Sequence, residues 1–278
     1  MKREHQGVAV AVLTSAIWGA TFPVMKLALN DASPLAFMAL RFLLASALLA
    51  LMVRKLIYCR KGVILGALVF LGFYLQLLGL KFTTATKSAF ITGMSVVFVP
   101  LIDYLLSGRK PRPKVLLAIF LGIAGLALLT EVTYSPVNLG DVLTLGSAVA
   151  WAGQIIAVDR LVDRMGPKSL ALYQSVPPFL FSTVLSFAEG NFTVRPTLSL
   201  AIALLYTGGM ATALGLSLQA IAQEKISPEA AALSYLSEPI FAALFASLLL
   251  GEMMNPTQAL GALLILVSML VGAERKSK

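Results

Sequence analysis

Histidine and cysteine are almost missing from this chain of 278 residues: it has one of each, His5 and Cys59. A single cysteine excludes an intrachain disulfide framework and any cysteine-rich metal site. A single histidine at the amino-terminal end leaves no Ser–His or Cys–His pair and no histidine metal centre in the body of the chain. No catalytic or metal-ligating residue is therefore expected. Charge is scarce as well. Only 13% of residues are charged, against about a quarter in an ordinary soluble domain. No GxxxxGK run is present to cradle a phosphate, so neither a nucleotide nor any other cofactor is expected.

What fills the space is apolar. Hydrophobic residues make up 58% of the chain and the mean hydropathy is +0.87, which is the composition of a polytopic membrane protein. The formal net charge is +9, yet the basic residues sit in short clusters between apolar runs. That pattern points to a lipid bilayer as partner and away from nucleic acid. The amino-terminal MKREHQGVAVAVL resembles a signal peptide, but its apolar run continues to Leu29. It reads as a retained first membrane helix.

Ten stretches are long enough to cross a bilayer as helices: 7–29, 34–53, 62–80, 88–107, 114–130, 139–158, 168–188, 198–219, 229–250 and 256–273. Five begin with a proline in the first turn (Pro34, Pro113, Pro167, Pro228 and Pro256), where the missing N–H costs nothing. Ser33, Ser227 and Asn255 are candidate N-caps. The span 88–107 is the weakest, because Lys81 and Lys87 precede it. The connecting loops leave no room for a soluble domain. With the amino terminus placed inside, 17 of the 22 Lys and Arg residues fall in cytoplasmic segments, and only Lys81, Lys87 and Arg195 fall in outer ones. This asymmetry predicts both termini in the cytoplasm and a multi-pass protein of the plasma (inner) membrane.

The two halves repeat. At an offset of 133, Gly7, Trp18 and Pro34 fall on Gly140, Trp151 and Pro167; the stripe Thr14, Trp18, Thr21 falls on Ser147, Trp151, Gln154. At an offset of 143, Gly108 and Pro113 fall on Gly251 and Pro256, and Thr92 and Ser95 fall on Tyr235 and Glu238. Spacings of three, four and seven keep each stripe on one helix face. An odd number of helices per half turns the second copy over in the membrane. The expected fold is thus an all-α bundle of ten transmembrane helices, a five-plus-five inverted repeat divided into 1–135 and 136–278. Inverted repeats are typical of secondary transporters, which bind substrate between the halves near the midplane, although a duplicated membrane protein need not transport anything.

SAIWGATFPVMK, LRF, AFITGMSVVFVPL and ALSYLSEPIFAALFASLLLGE together resemble the EamA branch of the drug/metabolite transporter superfamily, over essentially the whole chain. The resemblance implies ten helices, a central cavity, and export, less often import, of amino acids or other small metabolites. In that pattern Glu252 closes the ninth helix, but Arg109 stands at the corresponding place in the first half.

The residues that invite a functional reading are polar groups in apolar spans. Glu238 lies midway along the ninth span, where a carboxylate costs roughly 2.5–3.5 kcal/mol unless it faces a cavity or a partner. It is a candidate for binding a substrate ammonium or carrying a coupling proton; the plainer alternative is a protonated packing residue. The adjacent Pro239 leaves the Tyr235 carbonyl without a helical donor. Arg41 is suited to a substrate carboxylate, or alternatively to a structural pair near the outer interface. Trp18 and Trp151, the only tryptophans, occupy matching mid-span positions and are read as cavity walls with an N–H to offer, or as packing. Thr21, Gln76, Thr92, Gln154, Tyr173, Gln174 and Tyr235 complete the candidate substrate-binding set. Pro23, Pro100, Pro177, Pro178 and Pro239 are candidate hinges, or merely shape the bundle. Gly62-x-x-x-Gly66 signals close helix packing. The reading is a secondary transporter of small metabolites, most often an exporter of amino-acid-like solutes, with an importer as the alternative. An intramembrane enzyme acting on lipid head groups is a more distant one, since Asp103 stands alone near the inner end of the fourth span.

Overall fold

The computed structural model describes residues 2–53, 59–79, 82–83, 85–108, 110–131, 136–250 and 254–272. Its helices are α1 (Lys2–Gly19), α2 (Thr21–Ala28), α3 (Pro34–Met52), α4 (Arg60–Gly79), α5 (Ala85–Gly93), α6 (Ser95–Ser107), α7 (Pro113–Thr130), α8 (Leu139–Met165), α9 (Pro167–Ala188), α10 (Leu198–Leu204), α11 (Gly215–Gln223), α12 (Pro228–Tyr235), α13 (Glu238–Leu250) and α14 (Pro256–Gly272). A π-helical stretch, Leu205–Leu214, joins α10 to α11. They form ten passes among the described residues. α1 with α2 makes the first, α5 with α6 the fourth, α10 with the π stretch and α11 the eighth, and α12 with α13 the ninth. Seven of the passes are long and apolar enough to cross a membrane by themselves. The first and ninth are interrupted, and the tenth, α14, has 17 residues.

Local chemistry explains the ends. Prolines open α3, α7, α9 and α12 at their first turns. Ser227 accepts the Ala230 N–H at 3.2 Å, and Asn255 Oδ1 accepts the Gln258 N–H at 2.9 Å, as N-caps should. Ser33 does not cap α3. Its hydroxyl instead donates to the Asn191 carbonyl at 2.6 Å, tying two loops that also share the bridge between Ala32 and Val194. α8 starts with a capping box in which Asn138 and Asp141 exchange hydrogen bonds.

Helix pairing follows the repeat. α7 packs along α14, and α3 packs along α9. α4 meets α8 as α1 meets α11, and α4 meets α9 as α3 meets the π stretch. α5 and α6 lie on α8 as α12 and α13 lie on α1. Without a hydrophobic driving force between helices in lipid, close approach of small residues does this work. A Cβ on Gly125 would lie 2.7 Å from the Gly261 carbonyl oxygen, and one on Gly62 would lie 2.7 Å from the Tyr173 ring. Gly66 seats Pro177. The Gly62/Gly66 signal thus marks the α4–α9 contact.

The proline expectations divide. α9 continues through Pro177 and Pro178, and α6 through Pro100. The passes break elsewhere: between α1 and α2 at Ala20, between α5 and α6 at Met94, and between α12 and α13 at Leu236–Ser237. Pro239 is therefore the second residue of a new helix, where proline is tolerated, and the break lies just before it. Pro23 falls within α2, and its side chain lies outside the described part, as do Arg109 and Glu252.

Candidate functional site

The helices enclose a cavity of about 450 Å³. It runs from the exposed Glu131, at the end where α7 finishes and α14 begins, to a floor of buried amides on α8 and α11. Trp18, Thr21, Arg41, Gln76, Thr92, Trp151, Gln154, Tyr235, Glu238 and Pro239 all line it. Residues on six different passes, spread over two hundred positions of sequence, are thereby brought to one space.

Arg41 is 3% exposed, yet no carboxylate lies within ion-pair distance of it among the described residues. Its Nε–H donates to the Thr212 hydroxyl at 2.8 Å, and Nη1 approaches the Met25 sulfur at 3.3 Å. The guanidinium carbon sits 4.7 Å from the centre of the Phe73 ring, a cation–π distance. Glu238 is the charge whose field reaches it. Glu238 opens α13, so the positive end of that helix supports its carboxylate. It is partly exposed, takes no hydrogen bond from the described residues, and faces the cavity. Arg41 and Glu238, on different passes, thus both line one cavity without forming an ion pair.

The break that presents Glu238 is fixed by α1. A Cβ on Gly19 would lie 2.8 Å from the Glu238 carbonyl oxygen and 2.9 Å from the Ala242 nitrogen, so only glycine lets α1 press against the start of α13. The Leu236 and Ser237 N–H groups turn back to Leu233 and Ser234, and the Ser237 hydroxyl donates to the Ser234 carbonyl at 2.7 Å.

The two tryptophans sit in equivalent seats. Gly215 makes room for Trp18 and Gly72 for Trp151, at the offset of 143. Their polar ends differ. Trp18 Nε1 donates to the Ala211 carbonyl of the π stretch at 2.8 Å, so its N–H is spent inside the protein. Trp151 packs edge-on against Phe73, centroids 4.8 Å apart, and its N–H has no protein acceptor among the described residues.

Tyr173 and Gln174 are not cavity residues. Tyr173 lies between α4 and α9, its hydroxyl accepting the Cys59 N–H at 3.0 Å. Gln174 is fully buried behind the floor, accepting a hydrogen bond from Gln154 Nε2. Gln154 and Gln219 also exchange hydrogen bonds, at 2.9 and 3.1 Å. Facing them, Tyr235 Oη is buried close to Gln219 without reaching hydrogen-bond geometry. Met25, Phe73, Thr212 and Gln219 are site residues the sequence reading passed over. Gln219 was within reach, since it lies 143 residues after Gln76. Thr212 corresponds to Val69, and nothing in the pattern marks it. Asp103 pairs with Arg160 at 3.2 Å.

An all-helical bundle built from two interlocked halves around a mostly apolar cavity with a few opposed polar groups is the architecture of a membrane transporter. The chain matches the model of the EamA-like transporter family over residues 5–131 and again over 138–272, and it belongs to that family. A protein of Archaeoglobus fulgidus named as an uncharacterized transporter is 34% identical over 98% of this chain and 86% of its own. A probable amino-acid metabolite efflux pump of Salmonella typhimurium is 25% identical over 94% of this chain and 93% of its own. A threonine/homoserine exporter of Escherichia coli is 31% identical over 73% of this chain and 66% of its own. A solved crystal structure shares the fold, with a TM-score of 0.81 over 95% of both chains at 16% identity.

Proposed function

We propose that the protein exports amino acids or amino-acid-like solutes across the plasma (inner) membrane by alternating access, with both termini in the cytoplasm. The observation that carries this reading is the opposed pair, Arg41 and Glu238, both lining the cavity and neither in an ion pair among the described residues. A buried charge left without its partner costs about 3–5 kcal/mol. A ligand with a carboxylate at one end and an ammonium close by would relieve both walls at once. Each charge-assisted hydrogen bond it makes is worth about 1.5–3 kcal/mol. Trp18, Phe73 and Trp151 supply apolar wall for the remainder of such a ligand. Glu238, facing the cavity, also serves as the carrier of a coupling proton, protonated in one facing state and ligand-paired in the other. The names of the Salmonella and Escherichia relatives agree with this substrate class.

A thermal-shift screen of the purified protein tests it. Amino acids, the amines left by removing their carboxylates, the acids left by removing their amines, nucleosides and sugars are compared. A ligand at 100 times its Kd stabilises by about 2.7 kcal/mol. Some amino acids should raise the Tm, and more than either truncated form does. Stabilisation by nucleosides or sugars alone would overturn the proposal. Flux from loaded proteoliposomes then fixes the direction.

A further inference from the structure

Thr212 stands in the π-helical stretch and makes two hydrogen bonds through one oxygen. Its hydroxyl donates to the Thr207 carbonyl, five residues back, at 2.7 Å. The same oxygen accepts the Arg41 Nε–H at 2.8 Å. Both threonines are buried, Thr207 completely. The five-residue step is the register of a π helix, so the side chain follows the backbone's own pattern and is locked by it. A π turn rotates everything downstream relative to a regular α-helix, in which successive residues are about 100° apart. In this stretch that rotation presents Thr212 to Arg41 and the Ala211 carbonyl to Trp18 Nε1 together. The approach is tight: a Cβ on Gly208 would lie 2.9 Å from the Arg41 carbonyl oxygen.

An arginine side chain has five N–H donors in a planar fork. Thr212 takes the one on Nε, and Met25 faces one on Nη1. Phe73 fixes the plane. Of the two edges able to grip a carboxylate with two parallel hydrogen bonds, Nε/Nη2 is occupied at Nε by Thr212, which leaves the Nη1/Nη2 end. We propose that Thr212 is the positioning residue that decides which edge of the Arg41 guanidinium faces the cavity, and that it thereby makes the site select ligands bearing a carboxylate over amines that lack one. This deepens the amino-acid reading above and rests on it. Thr212 lines the cavity too, but its role here is exerted through Arg41. Without its hydroxyl the guanidinium is no longer held by Nε, and its Nη1/Nη2 end is no longer kept facing the cavity while the charge remains.

The test uses the purified full chain and proteoliposomes made from it, with Thr212→Val and Thr212→Ser. The probes are the proteinogenic L-amino acids, each beside its decarboxylated amine. In Thr212→Val, Kd and KM for the amino acids should rise about 10-fold or more, the loss of roughly one charge-assisted hydrogen bond. The maximal flux should hold, and the amines should bind within about 2-fold of wild type, too small a change to count as a lost hydrogen bond. Thr212→Ser, which keeps the hydroxyl, should restore both. Thr212→Ala repeats the reading where the valine variant fails to insert, and unfolding of both would make Thr212 a structural residue and overturn the proposal. Equal losses for amino acids and amines, no loss, or a serine variant as weak as the valine one would each overturn it too. If wild type binds no amino acid, the amino-acid reading itself falls; if it binds them and valine is neutral, only the role of Thr212 falls.

Discussion

Replacing Glu238 with glutamine is the most discriminating change available. The two side chains have nearly the same volume, and glutamine keeps one acceptor oxygen. Glu238 takes no hydrogen bond from the described residues and has no ion pair among them, so folding loses only its favourable place at the start of α13, about 0.3–1 kcal/mol. The cost to a ligand ammonium is larger. A hydrogen bond to a charged partner is worth about 1.5–3 kcal/mol, and about 1.4 kcal/mol is a factor of ten. An amino acid should therefore bind roughly 10- to 150-fold more weakly. An acid lacking the amine should respond in the opposite sense. The carboxylate that would repel it disappears, while Arg41 stays in place. Such an acid should bind as well as before or better. Calorimetry on the purified variant reads both directions in one experiment. Flux into proteoliposomes across a pH series reads the coupling role: the wild-type pH dependence should flatten in Glu238→Gln. Equal losses for the amino acid and the deaminated acid would mean a general collapse of the cavity. Unchanged affinity together with an unchanged pH profile would reduce Glu238 to a packing residue and refute the reasoning outright.

The tryptophans should separate under phenylalanine substitution. Trp18→Phe removes the bond to Ala211 and should lower stability by about 1 kcal/mol, read as a lower Tm with ligand affinity largely kept. Trp151→Phe should instead weaken ligand binding and leave the Tm nearly unchanged, since its N–H has no protein acceptor among the described residues. Topology is checked with single cysteines at Asn30, Pro136 and Asn255, all exposed, in a Cys59→Ser background. All three should react with an impermeant thiol reagent added outside intact cells. Protection of all three would reverse the orientation, and a mixed result would break the alternation of ten passes.

The number of passes was legible because crossing a bilayer imposes a length and an apolar composition that a chain cannot disguise. The tryptophan seats were legible because the repeat carries them twice. Glu238 and Arg41 stood out because charge in an apolar span needs a cavity or a partner. Other features were hidden for specific reasons. The sequence marks the prolines as candidate hinges or as shaping the bundle; α9 stays helical through Pro177 and Pro178, with Pro177 packed against Gly66. The actual breaks fall at an alanine next to Gly19, at a methionine and at a Leu–Ser pair, where tertiary contacts such as Gly19 against Glu238 decide the backbone. The π stretch carries no motif, so Thr212 was invisible until the helix register was known. Tyr173 and Gln174 stand on α9, no described residue of which lines the cavity: Tyr173 faces α4 and Gln174 lies behind the amide floor.

The departures from symmetry carry the chemistry. The repeat places Gln174 opposite Arg41 and Ser95 opposite Glu238, so each charged wall has a neutral counterpart in the other half. The cavity therefore carries Arg41 on α3 and Glu238 at the start of α13 without charged counterparts, and the proposed ligand with two unlike ends would fit it in one orientation. The fourth and sixth passes are tied near both ends, by Lys87 with Asp141 at 2.6 Å and by Arg160 with Asp103 at 3.2 Å. The symmetry-related contact, α1 against α12 and α13, is packed closely through Gly19 and Ser15. Exchanging the conformations of the two halves does not return the same molecule. Under the proposed alternating access the two facing states need not be equal in free energy, and ligand or proton at Glu238 would act on that difference because Glu238 opens α13 where it packs against Gly19 of α1.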